Sequence, residues 1–237
     1  MKALLLAGGY GSRLLPLTKT IPKCLVDIKG EKLLDLWLDK LVKSGVNDII
    51  INTHYLADEV NQHINKSIYK KFVRLTYEER LLGTAGTIKK NLSLFGDEPL
   101  IVIHADNLSI FSMEKFQKCF LKRPIKVQIT MMTFNTDCPE SSGIVELDKN
   151  GIVMKFHEKV VDPPGTLANA AIYIISGDVI KFISGIKNEV IDFSTDVIPL
   201  FMGKINTFHN EIYHRDIGTL ESLNSARIEY PILIKEL

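Results

Sequence analysis

The chain has 237 residues, 46% hydrophobic and 24% charged, with a formal net charge of +1, a balance that suits a globular protein long enough to bury a substantial core. Lysine and arginine form nothing longer than short pairs, which argues against a nucleic-acid partner, and no apolar stretch approaches the length needed to cross a bilayer. Cys24, Cys119 and Cys138 are odd in number and scattered, so they make neither a disulfide framework nor a zinc motif. With Met1-Lys2 leading directly into strand-like sequence, the expectation is a cytoplasmic protein without a membrane partner.

The first element is a short apolar run at 2–7, followed at once by Gly8, Gly9 and Gly11. This pattern predicts a buried parallel strand ending in a loop of exposed backbone. Glycine allows positive φ angles and close approach, so several N–H groups of such a loop can point at one anion. Arg13 and Lys23 would add full charges. A nucleoside-triphosphatase loop is excluded because no Gly-x4-Gly-Lys-Ser/Thr run occurs. A dinucleotide fingerprint is excluded because Leu14 stands where its third glycine is required, and Pro16 and Pro22 interrupt the helix that should follow. A plain glycine-rich turn with no ligand accounts less well for the charges and the two prolines.

Further along, Leu34, Trp37, Leu38 and Leu41 stand at the spacing of one apolar helix face, closed by Gly45. Residues 48–52 predict a buried strand, 58–64 a polar-faced helix, 72–77 a strand, 78–83 a loop, 84–92 a helix and 100–104 another buried strand. Strands and helices alternating at this interval predict a mostly parallel sheet with helices on both faces. Ligands of such sheets bind beyond the carboxyl ends of the strands, which selects 8–13, 52–55, 78–86 and 105–107 as one crevice. From residue 126 the pattern changes to extended segments at 126–133, 143–147, 152–157 and 167–175. Asn150-Gly151 is a hairpin turn between the second and third of these. Helices at 179–184 and 196–202, strand-like pieces and a last helix at 219–228 complete the chain. The expected organisation is one domain, 1–237, with a nucleotide-binding half of about 1–125 and a second half of about 126–237.

The run LLLAGGYGSRLLPLTKTIPKCLVDIKGEKLLD resembles the N-terminal signature of the sugar-1-phosphate nucleotidyltransferases: Gly-x-Gly-x-Arg-Leu, a few residues with Pro and Thr, then Pro-Lys. The resemblance implies a Rossmann-like three-layer α/β/α fold with a mostly parallel mixed sheet, of the nucleotide-diphospho-sugar transferase, GT-A-like type. Longer members carry a C-terminal β-helix of hexapeptide repeats; this sequence ends without one, which argues against a fused acyltransferase. In the family the loop wraps the triphosphate of the incoming nucleotide. This implies nucleotide contacts from Leu6, Ala7, Gly8, Gly9, Gly11, Ser12 and Arg13, with Arg13 and Lys23 as the catalytic residues that meet phosphates at the reacting centre.

Asp106 follows a predicted buried strand, and Asp216 lies near the other end of the chain. Read alone, the first is as well explained as a helix cap and the second as a turn residue before Gly218. Hard cations such as Mg2+ prefer carboxylate oxygens and bind nucleotide phosphates alongside one or two protein carboxylates. The family has metal-binding aspartates in a Gly-Asp-type motif after a strand and in an Asp-Ile-Gly-Thr segment. Asp216-Ile217-Gly218-Thr219 matches the second in full, while Ala105 replaces the usual glycine of the first. Glu158-Lys159, otherwise a solvated surface pair, matches a Glu-Lys-Pro-like segment. Asn169 matches an Asn-Ala/Ser-Gly-Ile-Tyr-like segment, and Gly143 a glycine on the sugar side. These four residues would bind the sugar phosphate. Val160 stands where proline is common and Ala171 where glycine is common.

Residues 76–86, TYEERLLGTAG, occupy the place where the family reads the nucleobase. Guanine offers two adjacent N–H donors, which a carboxylate complements, whereas uracil and thymine suit an amide better. Glu78 or Glu79 therefore points to guanine, against the plain alternative of a helix-start glutamate. The Gly83-Thr84-Ala85-Gly86 segment, placed with the nucleotide, and the tail RDIGTLESLNSA resemble mannose-1-phosphate guanylyltransferases. His54, His104, His157 and His214 lie near strand ends without zinc-motif partners. The expected activity is Mg2+-dependent transfer of a nucleotidyl group from a nucleoside triphosphate, GTP before others, to a mannose- or heptose-like 1-phosphate. A cytidylyl-, uridylyl- or thymidylyltransferase, with another sugar phosphate or a phosphocholine-like acceptor, is the nearest alternative. A non-catalytic nucleotide-sugar sensor is the second. Assembly into a homo-oligomer is compatible with the sequence.

Overall fold

The computed structural model describes residues 1–236. The chain divides into two compact units, both discontinuous in sequence: residues 2–81, 104–111 and 213 onward form one, and Met1, 82–103 and 112–212 form the other. Of the halves expected from sequence, residues 82–103 and 112–125 thus group with 126–212, while the C-terminal segment groups with the N-terminal strand.

In the first unit the strands Lys2–Leu6, Ile49–Thr53 and Val73–Tyr77 run parallel, with Ala3 opposite Ile49 and Ile49 opposite Val73. Ile49–Thr53 is buried throughout, as a continuous apolar run in a sheet covered on both faces must be. The helix Leu33–Lys43 buries Leu34, Trp37, Leu38 and Leu41, the face expected from their spacing. The helix Ala57–Lys66 buries only Val60 and Ile64 and keeps a polar outer side.

The middle segment enters this unit as a turn. The Ala105 N–H donates to the Leu6 carbonyl at 3.0 Å, and the buried strand Asn107–Ile110 follows immediately. It pairs antiparallel with Tyr213–Asp216, placing Asn107 opposite Asp216. Residues 105–107 had been expected as an open ligand loop; instead Asp106 lies in a two-residue turn between strands, because 107–110 finds a partner a hundred residues away that no local pattern announces. The last helix, Leu220–Glu236, runs beyond the expected 219–228 and contains Pro231. Leu223 and Ala226 join a buried cluster with Leu14, Val26, Ile28, Leu33, Leu108 and Ile217, and Tyr230 packs against it. Packing against the cluster thus extends to Tyr230, two residues past the expected end.

In the second unit Leu167–Ile175 pairs antiparallel with both Leu100–His104 and Ile129–Asn135, and Ile205–His209 pairs parallel with Ile129–Asn135. The expected hairpin forms between Gly143–Leu147 and Val153–Glu158, with Gly151 at φ +76° in its turn. The helices are Thr84–Lys90, Met113–Leu121 and Gly177–Gly185. The helix expected at 196–202 is instead a π-turn, Phe193–Val197, followed by a 3-10 turn, Ile198–Phe201. Asp192 starts it early by accepting from the Ser194 and Thr195 N–H groups at 2.8 and 3.1 Å, and Pro199 cannot donate to a continuing α-helix. The class is α/β with mixed strand pairing, as expected, and among the described residues there is no β-helix. No helix among them is long and apolar enough to cross a membrane.

Two checks follow from the packing. Trp37 is 2% exposed and its indole N–H donates to the Asn107 carbonyl at 2.8 Å. Trp37→Phe removes that donor and ring volume beneath the Asp106 turn, and equilibrium urea unfolding should register a loss of about 2 kcal/mol. Burial pushes the Cys24 thiol up to about 12, so at pH 8 only about one part in ten thousand is thiolate. Ellman's reagent should modify exposed Cys138 rapidly, half-buried Cys119 slowly, and Cys24 only on unfolding.

Candidate active site

The glycine loop leaves the strand Lys2–Leu6 with its backbone fixed by side chains from elsewhere. The Ala7 N–H donates to Asn52 Oδ1 at 2.7 Å, and the Thr18 hydroxyl donates to the Gly11 carbonyl at 2.8 Å. Gly11 has φ +64°, and a Cβ there would meet Thr18 Cγ2 at 2.9 Å and Lys23 Cβ at 3.3 Å. Only glycine satisfies both the angle and the space. Gly9, Ser12 and Arg13 are exposed, so their groups are available to a ligand. Asn52 belongs to the 52–55 segment that the strand-end rule selects, whereas Thr18 was not singled out from sequence.

Three segments far apart in the chain place four charges together within this unit. The Lys23 ammonium donates to Asp106 Oδ2 at 2.6 Å and to Asp216 Oδ1 at 3.1 Å, and Arg13 Nη2 stands 3.6 Å from Asp216 Oδ2. Lys23 extends from the turn Lys23–Leu25, entered from Pro22 in extended conformation. Asp216 ends the strand Tyr213–Asp216, and Gly218 makes room for it: a Cβ there would lie 2.6 Å from Asp216 Oδ2 and 2.9 Å from Arg13 Nη2. Burial works against the Lys23 charge, but the two aspartates more than offset it and its pKa rises. Desolvation likewise opposes the Asp106 carboxylate, and Lys23 with His104 overrides it, so Asp106 lies below the ordinary carboxylate range. Burial pushes the His214 imidazole down to about 3, keeping it neutral beside the pair. Asp106 and Asp216 thus present hard oxygen donors to one point. Among the described residues no group of three or more His, Cys, Asp and Glu is arranged to hold a metal ion by itself, and two carboxylates suit Mg2+, which keeps other sites for water and phosphate oxygens.

Glu78 follows the strand Val73–Tyr77 and is 1% exposed, whereas Glu79 is exposed. Its backbone is held at both ends: its N–H donates to the Thr53 carbonyl, and its carbonyl accepts from His54 Nδ1, each at 2.8 Å. With that nitrogen as donor, His54 Nε2 accepts from the Tyr10 hydroxyl at 2.9 Å. His54 therefore ties the glycine loop to the segment expected to read the base.

The remaining candidates lie in the second unit. Gly83 has φ +74°, and a Cβ on it would approach the Ile191 carbonyl oxygen to 2.5 Å. The Thr84 hydroxyl donates to Asp192 Oδ2 at 3.2 Å and accepts from the Phe193 N–H at 2.6 Å, so its side chain is committed to holding the 191–193 loop. Gly143 pairs with Glu158 across the hairpin, and a Cβ on it would meet Phe156 Cζ at 2.6 Å and Glu158 Oε2 at 2.7 Å. Lys159 adopts φ +50°, and its ammonium is 3.4 Å from Glu158 Oε1. Asn169 spends both ends locally: Nδ2 donates to the Tyr173 hydroxyl at 2.6 Å and Oδ1 accepts from the Ala171 N–H at 3.0 Å. These bonds hold the irregularity between Asn169 and Tyr173, where Ala171 has φ +53°. Strained non-glycine residues of this kind concentrate at functional sites.

The nucleotidyl transferase family profile matches residues 2–231; the chain belongs to this family. The mannose-1-phosphate guanyltransferase of Debaryomyces hansenii is 29% identical over 97% of this chain and 64% of its own length. A glucose-1-phosphate adenylyltransferase of Desulfitobacterium hafniense is 26% identical over 96% of this chain and 63% of its length. The chain thus spans slightly under two thirds of these curated relatives. HddC from Yersinia pseudotuberculosis, whose structure is also solved in complex with GMP-PN, superposes with a TM-score of 0.81 at 27% identity over 97% of this chain and 99% of that one. The fold is therefore the Rossmann-like fold of the nucleotide-diphospho-sugar transferases.

Ala171 provides a local test, since a left-handed backbone costs an L-residue about 1–2 kcal/mol and glycine gives part of that back through greater unfolded-state entropy. Ala171→Gly should raise stability by about 0.5–1 kcal/mol in urea unfolding. Unchanged or lower stability would show that the site accommodates the alanine without strain.

Proposed function

We propose that the chain is a sugar-1-phosphate guanylyltransferase: GTP and a mannose- or heptose-like 1-phosphate give a GDP-sugar and pyrophosphate, with Mg2+ required. The observation that carries this reading is the meeting of Lys23 with Asp106 and Asp216, at 2.6 and 3.1 Å, with Arg13 beside them. A binding module has no use for two metal-type carboxylates and two phosphate-type cations in one place. Family membership supports the reaction class.

A phosphate oxygen of the sugar phosphate attacks the α-phosphorus in line and the bond to the bridging oxygen of pyrophosphate breaks, with no covalent enzyme intermediate. The protein contributes position and charge. Arg13, exposed, holds the β and γ phosphates and then the departing pyrophosphate; Lys23 holds the α-phosphate; the glycine loop turns backbone N–H groups to the triphosphate. Asp106 and Asp216 would hold Mg2+, which supplies further neutralisation of phosphate oxygens. Glu158, Lys159, Asn169 and Gly143 are assigned to the sugar phosphate, with the Lys159 ammonium as its counter-charge.

The buried carboxylate of Glu78 supports guanine, because two acceptor oxygens match guanine's adjacent N–H donors. The guanyltransferase relatives and the GMP-PN bound to HddC speak for the same base. The adenylyltransferase relative speaks for ATP, so the base is the part of the reading that most needs measurement. A nucleoside triphosphate substrate also fits a cytoplasmic location.

Pyrophosphate release should be measured with Mg2+ for GTP, ATP, CTP, UTP and dTTP against mannose, glucose and heptose 1-phosphates. The expected result is release with GTP, abolished by a chelator, and lowered about a hundredfold in kcat/KM by Glu78→Gln through loss of one charged acceptor. Release with another triphosphate would keep the chemistry and discard the guanine reading. Silence in every combination, together with tight binding of a nucleotide-sugar, would replace the enzyme with a sensor.

A further inference from the structure

Lys23 and a divalent cation make claims on the same oxygens. The Lys23 side chain is 10% exposed and its ammonium is within hydrogen-bond distance of Asp106 Oδ2 and Asp216 Oδ1. The other oxygen of Asp216, Oδ2, faces Arg13 at 3.6 Å. Both oxygens of that carboxylate therefore already face a cation. A metal bound to Asp106 and Asp216 at the usual Mg2+–oxygen length of about 2.1 Å would stand close to the ammonium whichever oxygens it used, and the two cations would repel.

Charge balance points the same way. Arg13 and Lys23 cancel Asp106 and Asp216, so a bare divalent cation would leave the cluster with a surplus of two positive charges. A metal arriving on a nucleoside triphosphate brings a net negative charge instead, and its phosphate oxygens offer the ammonium new acceptors. Lys23 has the means to exchange: a four-carbon stem with freely rotating bonds, on a backbone held by Pro22 and by the bond from the Val26 N–H to the Lys23 carbonyl at 3.3 Å. Its head can move while its base does not.

We propose that Lys23 is an internal counter-ion that keeps bare divalent cations off Asp106 and Asp216 and yields these carboxylates only to a metal accompanied by a triphosphate. The inference rests on the metal assignment made above and adds a second task to Lys23. It makes metal and nucleotide binding cooperative, with the lysine as the coupling element. The enzyme is thereby protected from occupying its metal site unproductively.

The test is binding of Mn2+ to the purified chain, measured by titration calorimetry and by the loss of the free-ion paramagnetic resonance signal, with and without a non-hydrolysable GTP analogue, binding being what exceeds a protein-free solution of the analogue, itself a Mn2+ ligand. Wild type should bind Mn2+ weakly alone and at least tenfold more tightly with the analogue. Lys23→Met and Lys23→Gln should bind Mn2+ alone at least tenfold more tightly than wild type and lose most of the coupling. Adding Asp216→Asn to Lys23→Met should remove the gain. Thermal unfolding gives a second readout: without metal both lysine variants should melt below wild type, and Mn2+ should raise their midpoints more than that of wild type. A lysine variant that folds only with Mn2+ also supports the proposal, because the ion then replaces the ammonium; one that fails to fold at any Mn2+ concentration overturns it. Equal Mn2+ affinity in wild type and variants would overturn the counter-ion role while leaving the metal assignment intact, provided the analogue still tightens Mn2+ in wild type. Absence of Mn2+ binding in every protein, with the analogue present, would overturn the metal assignment and the proposal with it.

Discussion

The interaction on which the first unit depends is the ammonium of Lys23 held between two carboxylates. It joins residues separated in sequence by 83 and by 193 positions. A lysine this enclosed is tolerable because both partners are in place, and Lys23 in turn favours the Asp106 carboxylate against its burial. Much of the surrounding architecture can be read as what this arrangement requires. The strands Asn107–Ile110 and Tyr213–Asp216 set Asp216 opposite Asn107, and so beside Asp106. A slip of one residue would turn the carboxylate to the other face. Gly218 clears the space beside it. Behind it, Arg215 makes a two-pronged bond to Glu229 at 2.9 and 3.0 Å, and the Tyr213 hydroxyl donates to the same carboxylate at 2.7 Å. This clamp fastens the last helix to the strand that carries the site.

How far the sequence discloses this depends on the range of each interaction. The glycine loop was legible because its cause is local: a strand must end, the backbone must turn, and glycine is the residue that allows both. The apolar face of Leu34, Trp37, Leu38 and Leu41 was legible for the same reason. The strand Asn107–Ile110 was not, because the alternation of Asn107, Leu108, Ser109 and Ile110 is only four residues long and becomes a strand through its partner at 213–216. The helix expected at 196–202 is instead the pair of turns at 193–201, because the cap at Asp192 lies ahead of the expected helix and Pro199 falls inside it. Lys23, Asp106 and Asp216 could each be assigned to phosphate or metal by resemblance, but their contact with one another could not, since nothing in a linear pattern reports that three charges share a point.

In the second unit, side chains named as candidates from sequence are occupied in shaping backbone. Thr84 holds the loop that lies over Gly83, and Asn169 stabilises the irregular turn at Ala171. Alanine at a left-handed position is a departure from glycine that the chain sustains at a cost, and the Asn169–Tyr173 pair is part of what offsets it.

The discontinuous composition of the first unit also bears on how the protein comes into being. Its opening strand is made before residues 82–103 and its closing strand after residues 112–212. At ordinary rates of synthesis the interval between Asp106 and Asp216 is on the order of ten seconds. Through that interval Lys23 and Asp106 lack their third member, and the edge of Asn107–Ile110 lacks its pairing strand. A growing chain therefore carries its phosphate loop long before it can assemble the charge cluster. The cluster is completed only once Asp216 has been made, and a product ended before that residue would hold the loop without it.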